Sequence, residues 1–291
     1  GALYPASVVG RVIGFLGMGR AAAGALAAFF GGVAADRLGV PTVVIVTGAI
    51  GIASALAYAG LRARSDERPQ KFSARESIRA LRERPVLGRV ALAQGFYGGG
   101  LIAALPLYAL VHVDRLQLSL SEVGVIGILL SAATTVSFPV WGAVSDRFGP
   151  LASLRVGSAL GIVALVGYAF APSVAVLWLT AIALGTANAS VDVGIGAVVS
   201  HQTPLASRAA ALAGWNAITG ARGIAAAFLM STALSLGLVT VTTGLLLCAA
   251  SAAIGVVLFA RIVPSSRAVE PAPRMIDESA IAATSLLSEP T

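Results

Sequence analysis

Charged side chains are scarce in this sequence: they make up 11% of its 291 residues, whereas apolar residues make up 57%. A soluble domain carries roughly 25% charged residues. So few charges cannot cover a water-facing surface, and the mean hydropathy of +0.89 agrees with burial in lipid. The shortage of charge therefore favours a membrane protein over a soluble one.

Cysteine and histidine are scarce as well. The single cysteine, Cys248, excludes an internal disulfide, and the two histidines, His112 and His201, are far apart in the sequence. The sequence contains no phosphate-binding loop, no metal-ligand spacing and no nucleophile elbow. It therefore predicts neither an enzyme nor an ATP-driven pump, and it calls for no metal and no other cofactor.

Eight apolar runs dominate the chain. Each is long enough to cross a bilayer, and a backbone in lipid must satisfy its own hydrogen bonds, so the runs predict helices. The sequence thus predicts an all-α polytopic membrane protein with eight transmembrane helices. The runs lie near 10–34, 41–61, 87–111, 121–143, 151–171, 174–199, 208–235 and 238–262.

Two segments differ from the apolar runs. The polar stretch 62–86 contains Ser73 and Glu76 at capping-box spacing, which predicts a short amphipathic helix. That helix either is a solvated linker or lies on anionic headgroups. The tail 264–291 is rich in Pro, Ser and Glu, and its composition predicts disorder.

The net charge of +7 comes from basic residues that cluster beside the apolar runs. With 62–86 in the cytoplasm, alternation places sixteen of the 20 lysines and arginines on the cytoplasmic side. Two, Arg20 and Arg222, fall within spans, and two, Arg37 and Arg115, fall outside. This positive-inside bias predicts a cell (inner) membrane protein with both ends of the chain in the cytoplasm. Nucleic acid is not an expected partner.

The segment GAVSDRFGP follows a span and contains Gly142, Asp146, Arg147 and Gly149 in the pattern G-x-x-x-D-R-x-G. A glycine there lets a neighbouring helix approach, and the aspartate can meet the positive N-terminus of that helix. The segment resembles the cytoplasmic loop signature of the major facilitator superfamily, although Pro150 stands where the family has a further basic residue. A simple polar turn is the alternative.

A second match, GGVAADRLG, contains Gly32, Asp36 and Arg37. A cytoplasmic position for it would put the basic cluster outside the cell, against the charge rule. We therefore expect Asp36 in the outer loop between the family's fifth and sixth helices.

Two glycine-rich stretches, around Arg20 and Arg222, resemble the family's fifth and eleventh helices. The resemblance covers about 8–262 and implies helices five to twelve, so that the chain is the C-terminal two-thirds of a carrier, a fragment. The implied domains are two helices of the N-terminal bundle (1–61), a linker (62–86), a six-helix C-terminal bundle (87–263) and a tail (264–291).

The resemblance also implies a function. It predicts a monomeric carrier in the lipid bilayer that moves a small solute by alternating access, by proton-coupled efflux of drugs, sugars or similar organic molecules. One alternative is a non-transporting membrane scaffold or receptor on the same fold. The other is an unrelated membrane enzyme or channel.

Polar residues within the spans are the candidate site, because burying them in lipid is costly. Asp192, with Asn188 one turn earlier, is either a substrate or proton site or a helix-packing pair. Arg222 and Arg20 are candidates to bind an anionic substrate or to pair with an acid, and snorkelling is the alternative for Arg20.

Two further candidates, Gln94 and Tyr97, lie in AQGFYGGGLIAALPLY. Its glycines and Pro106 predict a bent or unwound helix, as in transporter helices that line a binding site. His112 and Asp114 are expected in a solvated outer loop.

Overall fold

The computed structural model describes residues 6–59, 84–203 and 205–263, and these residues form helices joined by short connections. The linker helix predicted in 62–86 and the tail from 264 lie outside the described residues. The helices are α1 (Ala6–Leu38), α2 (Val40–Ala59), α3 (Pro85–Ala103), α4 (Leu105–Leu110), α5 (Leu120–Phe148), α6 (Pro150–Ala169), α7 (Val174–Gln202), α8 (Leu205–Ser235) and α9 (Val241–Arg261), with a π-helical turn at Val111–Arg115 after α4.

Seven stretches of the described residues are long and apolar enough to cross a membrane. This confirms the all-helical membrane class. The 33-residue α1 is the eighth predicted span, and the count of eight remains a prediction. The seven are Val40–Ala57, Pro85–Arg115, Leu120–Phe148, Pro150–Ala169, Val174–Gln202, Ala210–Ser235 and Val241–Arg261.

Glycines make the two tightest connections. Gly39 alone separates α1 from α2, and Gly149 alone separates α5 from α6; both have positive φ, at 80° and 87°. Only glycine adopts a positive φ without strain, and in proteins generally a glycine of positive φ commonly ends a helix. Both Asp-Arg pairs consequently lie in the last turn of a helix. The expectation of an outer loop around Asp36 was wrong, because α1 continues to Leu38.

Small residues allow the helices of the buried core to touch. An alanine at Gly255 of α9 would put its Cβ 2.5 Å from the amide nitrogen of Tyr97 in α3, and Gly100 of α3 lies against the carbonyl of Cys248. Gly157 and Gly194 make similar contacts between α6 and α7. Such close approach is typical of helix packing in membranes.

The span Pro85–Arg115 is interrupted at Ala104, two residues before Pro106. Pro106 has no backbone N–H to donate to a preceding carbonyl, which accounts for the interruption; the predicted bend or unwinding of this span stays a prediction. The expectation of a solvated loop at its outer end was wrong for His112, which is part-buried with Nε2 3.3 Å from the Tyr168 hydroxyl. Arg115 donates hydrogen bonds to the carbonyl of Ala169 (2.9 Å) and the hydroxyl of Thr242 (2.8 Å), so it joins this end to α6 and α9.

Helix α1 packs antiparallel on α5. A Cβ at Gly32 would lie 2.5 Å from the carbonyl oxygen of Leu120, and a Cβ at Gly24 would lie 3.8 Å from Ser131 Oγ. Moving towards the start of α1 therefore moves the contact towards the end of α5. This pairing joins α1 to the bundle formed by α3 and α5–α9.

Candidate functional site

A cavity of about 470 Å³ lies between α3, α5, α7 and α8. Sites for small molecules commonly measure about 300–1,000 Å³, so this one has room for a small organic ligand. Its lining is partly polar and partly apolar. It consists of Gln94, Tyr97, Gly98, Leu101, Ile102, Leu130, Ser131, Thr134, Asn188, Val191, Asp192 and Arg222.

The lining residues lie near the middle of their spans. Leu130 to Thr134 are central in Leu120–Phe148, Asn188 and Asp192 are central in Val174–Gln202, and Arg222 is central in Ala210–Ser235. Helices that cross a bilayer bring their midpoints to similar depths. The cavity therefore lies near the bilayer midplane.

Five of the six predicted site residues, from three helices, line this one cavity: Gln94, Tyr97, Asn188, Asp192 and Arg222. The sixth, Arg20, belongs to α1, and its side chain lies outside the described residues.

The Arg222 side chain extends across α3. Its Nη1 donates a hydrogen bond to the carbonyl oxygen of Gln94 (2.6 Å), and its Nε is buried without a partner among the residues that the structure describes. A guanidinium has five N–H donors in a fixed fork. Arg222 is thus held in place by one donor and retains others for a ligand in the cavity.

Gly98 makes room for this arrangement, a role that could not be predicted from the sequence. An alanine Cβ at Gly98 would lie 2.8 Å from Gln94 Nε2 and 2.9 Å from Arg222 Nη2. Both distances are shorter than an ordinary van der Waals contact between a carbon and a nitrogen atom. The absence of a side chain at this position therefore lets the amide and the guanidinium lie side by side on α3.

Tyr97 contributes its ring more than its hydroxyl. It is only 1% exposed, and its ring packs edge-on against Phe259 with centroids 6.3 Å apart. Its hydroxyl lies beside Gly161 of α6. Tyr97 is therefore chiefly a wall of the cavity.

The hydroxyl residues of α5 were not among the predicted site residues. Thr134 Oγ1 donates to the carbonyl of Leu130 (2.8 Å) and lies 3.1 Å from that of Gly185. Ser131, one turn earlier, also lines the cavity. Their spacing of one helical turn within an apolar run is the sequence signal that could have pointed to these two hydroxyl residues.

The predicted gate motif lies at the other end of α5. Asp146 and Arg147 are exposed, and the Arg147 guanidinium stacks 5.3 Å from the centroid of the Phe148 ring. At Gly142 an added Cβ would meet no atom of the described residues within 4 Å. The role of Gly142, Asp146, Arg147 and Gly149 as a gate stays a prediction.

Asp36 makes a well-defined contact at the opposite end of α5. Its carboxylate accepts hydrogen bonds from the backbone amides of Leu120 (3.1 Å) and Ser121 (2.8 Å) and from the Ser121 hydroxyl. The hydrogen bond from the Ser121 hydroxyl has the largest effect and lowers the pKa of Asp36; burial opposes it, and the two amide hydrogen bonds leave the pKa below its ordinary value. The first turn of α5 is thus capped by a side chain from α1.

Apolar helices long enough to cross a bilayer, with a partly polar cavity halfway along them, are the arrangement in which secondary transporters bind their solutes. The sequence model of the Major Facilitator Superfamily matches residues 1–173 and 90–290, and the chain belongs to this family. No curated protein and no solved structure matches the chain. The family model confirms the family predicted from the sequence, while the assignment to helices five to twelve stays a prediction.

Proposed function

We propose that the full-length protein moves a small organic molecule across the membrane by alternating access, driven by the proton gradient and in the direction of efflux. The observation that carries the proposal is the cavity itself. Five intramembrane polar residues from three helices converge on it near the midplane, where carriers of this type bind their substrates.

The lining suggests a division of roles. Among the described residues that line the cavity, Asp192 carries the only carboxylate, and we assign the coupling proton to it, with Asn188 one turn earlier. Arg222 and Gln94 offer hydrogen bonds to polar groups of the substrate. Leu101 and Ile102 would contact its apolar part.

The charge distribution supports one orientation. In it, both ends of the chain and the 62–86 linker face the cytoplasm, and the Asp36 contact faces outward. The protein would work as a monomer in the cell (inner) membrane, with lipid, the substrate and protons as its partners.

Flux separates a carrier from a scaffold or receptor on the same fold. The full-length protein in proteoliposomes with an imposed pH gradient should move substrate faster than protein-free vesicles, because alternating access couples the two movements. Radiolabelled small organic molecules, screened as a panel, provide the measurement. Flux equal to that of empty vesicles across the panel would favour the scaffold.

We further expect Asp146 to lie beside the start of α1. The α1–α5 contact passes from Gly32 and Leu120 to Gly24 and Ser131, and the same progression leads from Gly10 to the turn that contains Asp146. Cysteines at Gly10 and Asp146, in a Cys248→Ala protein, should be joined by a cross-linker of about 10 Å, the axis separation of packed helices.

The matched control pairs Gly10→Cys with Val123→Cys, which lies roughly 35 Å from Asp146 along α5 at 1.5 Å per residue. This pair should not react. Equal cross-linking of both pairs, or of neither, would contradict the proposed contact at the cytoplasmic gate.

A further inference from the structure

The amino terminus of α5 is completed by a residue from another part of the fold. The first backbone amides of a helix have no partner within the helix and need a cap. Ser119 and Glu122 form a capping box that satisfies the amide of Glu122 and that of Ser119 itself. The two backbone amides between them, those of Leu120 and Ser121, donate hydrogen bonds to the Asp36 carboxylate.

The contact is electrostatically favourable as well. A carboxylate at a helix N-terminus meets the positive end of the helix dipole, and hydrogen bonds to an ionised acceptor are stronger than neutral ones. An aspartate of ordinary pKa is already ionised at neutral pH, and these hydrogen bonds lower the pKa of Asp36 further. Asp36 is exposed, so water is available to replace its partners if the contact opens.

Close backbone packing fixes the position of the carboxylate. Gly32 lies one turn before Asp36, and its backbone approaches Leu120 so closely that an added Cβ would lie 2.5 Å from the Leu120 carbonyl oxygen and 3.3 Å from the Cα of Gly124. The two helices therefore touch at the level of the cap. A small outward displacement of α1 would break this packing and all three hydrogen bonds together.

We propose that Asp36, with the amides of Leu120 and Ser121 and the Ser121 hydroxyl, forms an outer latch that holds α1 against α5 and must open whenever the cavity opens to the outside. The inference rests on the proposed alternating access, since α1 belongs to the N-terminal bundle and α5 to the C-terminal one. Asp36 acts through this contact as a positioning residue and is not part of the cavity.

The test measures how often the cavity is open to the outside. In the full-length Cys248→Ala protein, Ser131→Cys places one reporter thiol in the cavity lining. A membrane-impermeant thiol reagent is added outside right-side-out vesicles, without substrate or gradient, and the labelling rate is followed. If the rate follows the population of the outward-open state, Asp36→Ala should raise it roughly fivefold, as expected for loss of one helix cap.

Three further variants complete the test. Ser121→Ala removes the hydroxyl but leaves both backbone amides, so it should raise the rate less than Asp36→Ala does. Arg37→Ala is the matched control, since Arg37 is the exposed neighbour of Asp36 and takes no part in the latch; its rate should equal the parent's. Asp36→Asn replaces Asp36→Ala if the alanine variant does not reach the membrane, and a raised rate is again expected.

An unchanged labelling rate in Asp36→Ala would overturn the latch, and the same holds for Asp36→Asn where that variant replaces it. An equal rise of the rate in Arg37→Ala would also overturn it. The outcome is separable from that of the flux assay. Active flux with unchanged labelling would refute the latch and leave the carrier standing. Raised labelling in a protein without flux would support the latch and refute the carrier.

Discussion

Replacing Asp192 with asparagine in the full-length protein should abolish gradient-driven transport. Asp192 lines the central cavity beside Asn188 and Arg222, and asparagine preserves the shape of the side chain while removing the group that takes up and releases a proton. If Asp192 carries the coupling proton, as proposed, its loss should reduce substrate accumulation against its gradient to the level of protein-free vesicles. The measurement is substrate movement into proteoliposomes driven by an imposed pH gradient.

Exchange of labelled for unlabelled substrate, without a gradient, distinguishes coupling from binding. The Asp192→Asn protein should retain exchange, because exchange requires binding and alternation but no net proton movement. Asp114→Asn is the matched control: it removes an equivalent charge from an exposed residue in the π-helical turn and should leave both activities intact. Unaltered gradient-driven transport in Asp192→Asn, with an unaltered pH profile, would refute the coupling role.

Replacing Gly98 with alanine should weaken substrate binding on the order of tenfold. The new Cβ would lie 2.8 Å from Gln94 Nε2 and 2.9 Å from Arg222 Nη2. Both atoms end flexible side chains, so the new methyl group is accommodated by moving them away from their positions in the cavity. Loss of one hydrogen bond to the substrate costs about 0.5–1.5 kcal/mol, and tenfold in affinity corresponds to about 1.4 kcal/mol. Because the amide and the guanidinium must move, the apparent affinity for substrate in the exchange assay should fall.

The neighbouring glycines provide the controls for this change. An alanine Cβ at Gly95 would meet nothing within 4 Å, and one at Gly99 would meet Arg222 Cδ at an ordinary 3.8 Å. Both variants receive the same gain in helix propensity as Gly98→Ala, yet neither should change the affinity. An equal loss in all three would mean that the flexibility of the glycine run, rather than space for Arg222, is what matters.

The helices could be predicted from the sequence because each apolar run is long and uninterrupted by charge. The run 121–143 became α5, Leu120–Phe148, and the helix extends further because a helix end at the bilayer surface tolerates polar residues such as Asp146. The place of Asp36 in a helix could not be predicted, since a single glycine was enough to turn the chain.

The candidate site was predictable where polarity was conspicuous. Asp192 and Arg222 stand out in apolar sequence, and both line the cavity. Ser131 and Gly98 do not stand out, because small residues in a span more often serve helix packing. The direction in which a side chain points could not be predicted, as Tyr97 illustrates. The sequence predicted that Tyr97 lines the cavity, but only the packing of α3 against α6 shows that its hydroxyl lies beside Gly161.

The paired glycine contacts between α3 and α9 also constrain how the protein can move. Gly100 lies on the Cys248 carbonyl and Gly255 on the Tyr97 backbone, so sliding of one helix along the other would force backbone atoms into collision. From Tyr97 to Gly100, α3 should therefore travel with α9 as a rigid body. A hinge in this span then falls outside that segment, and flexing at the interruption around Ala104 would move the outer end of the span while Gln94 and Tyr97 keep their spacing.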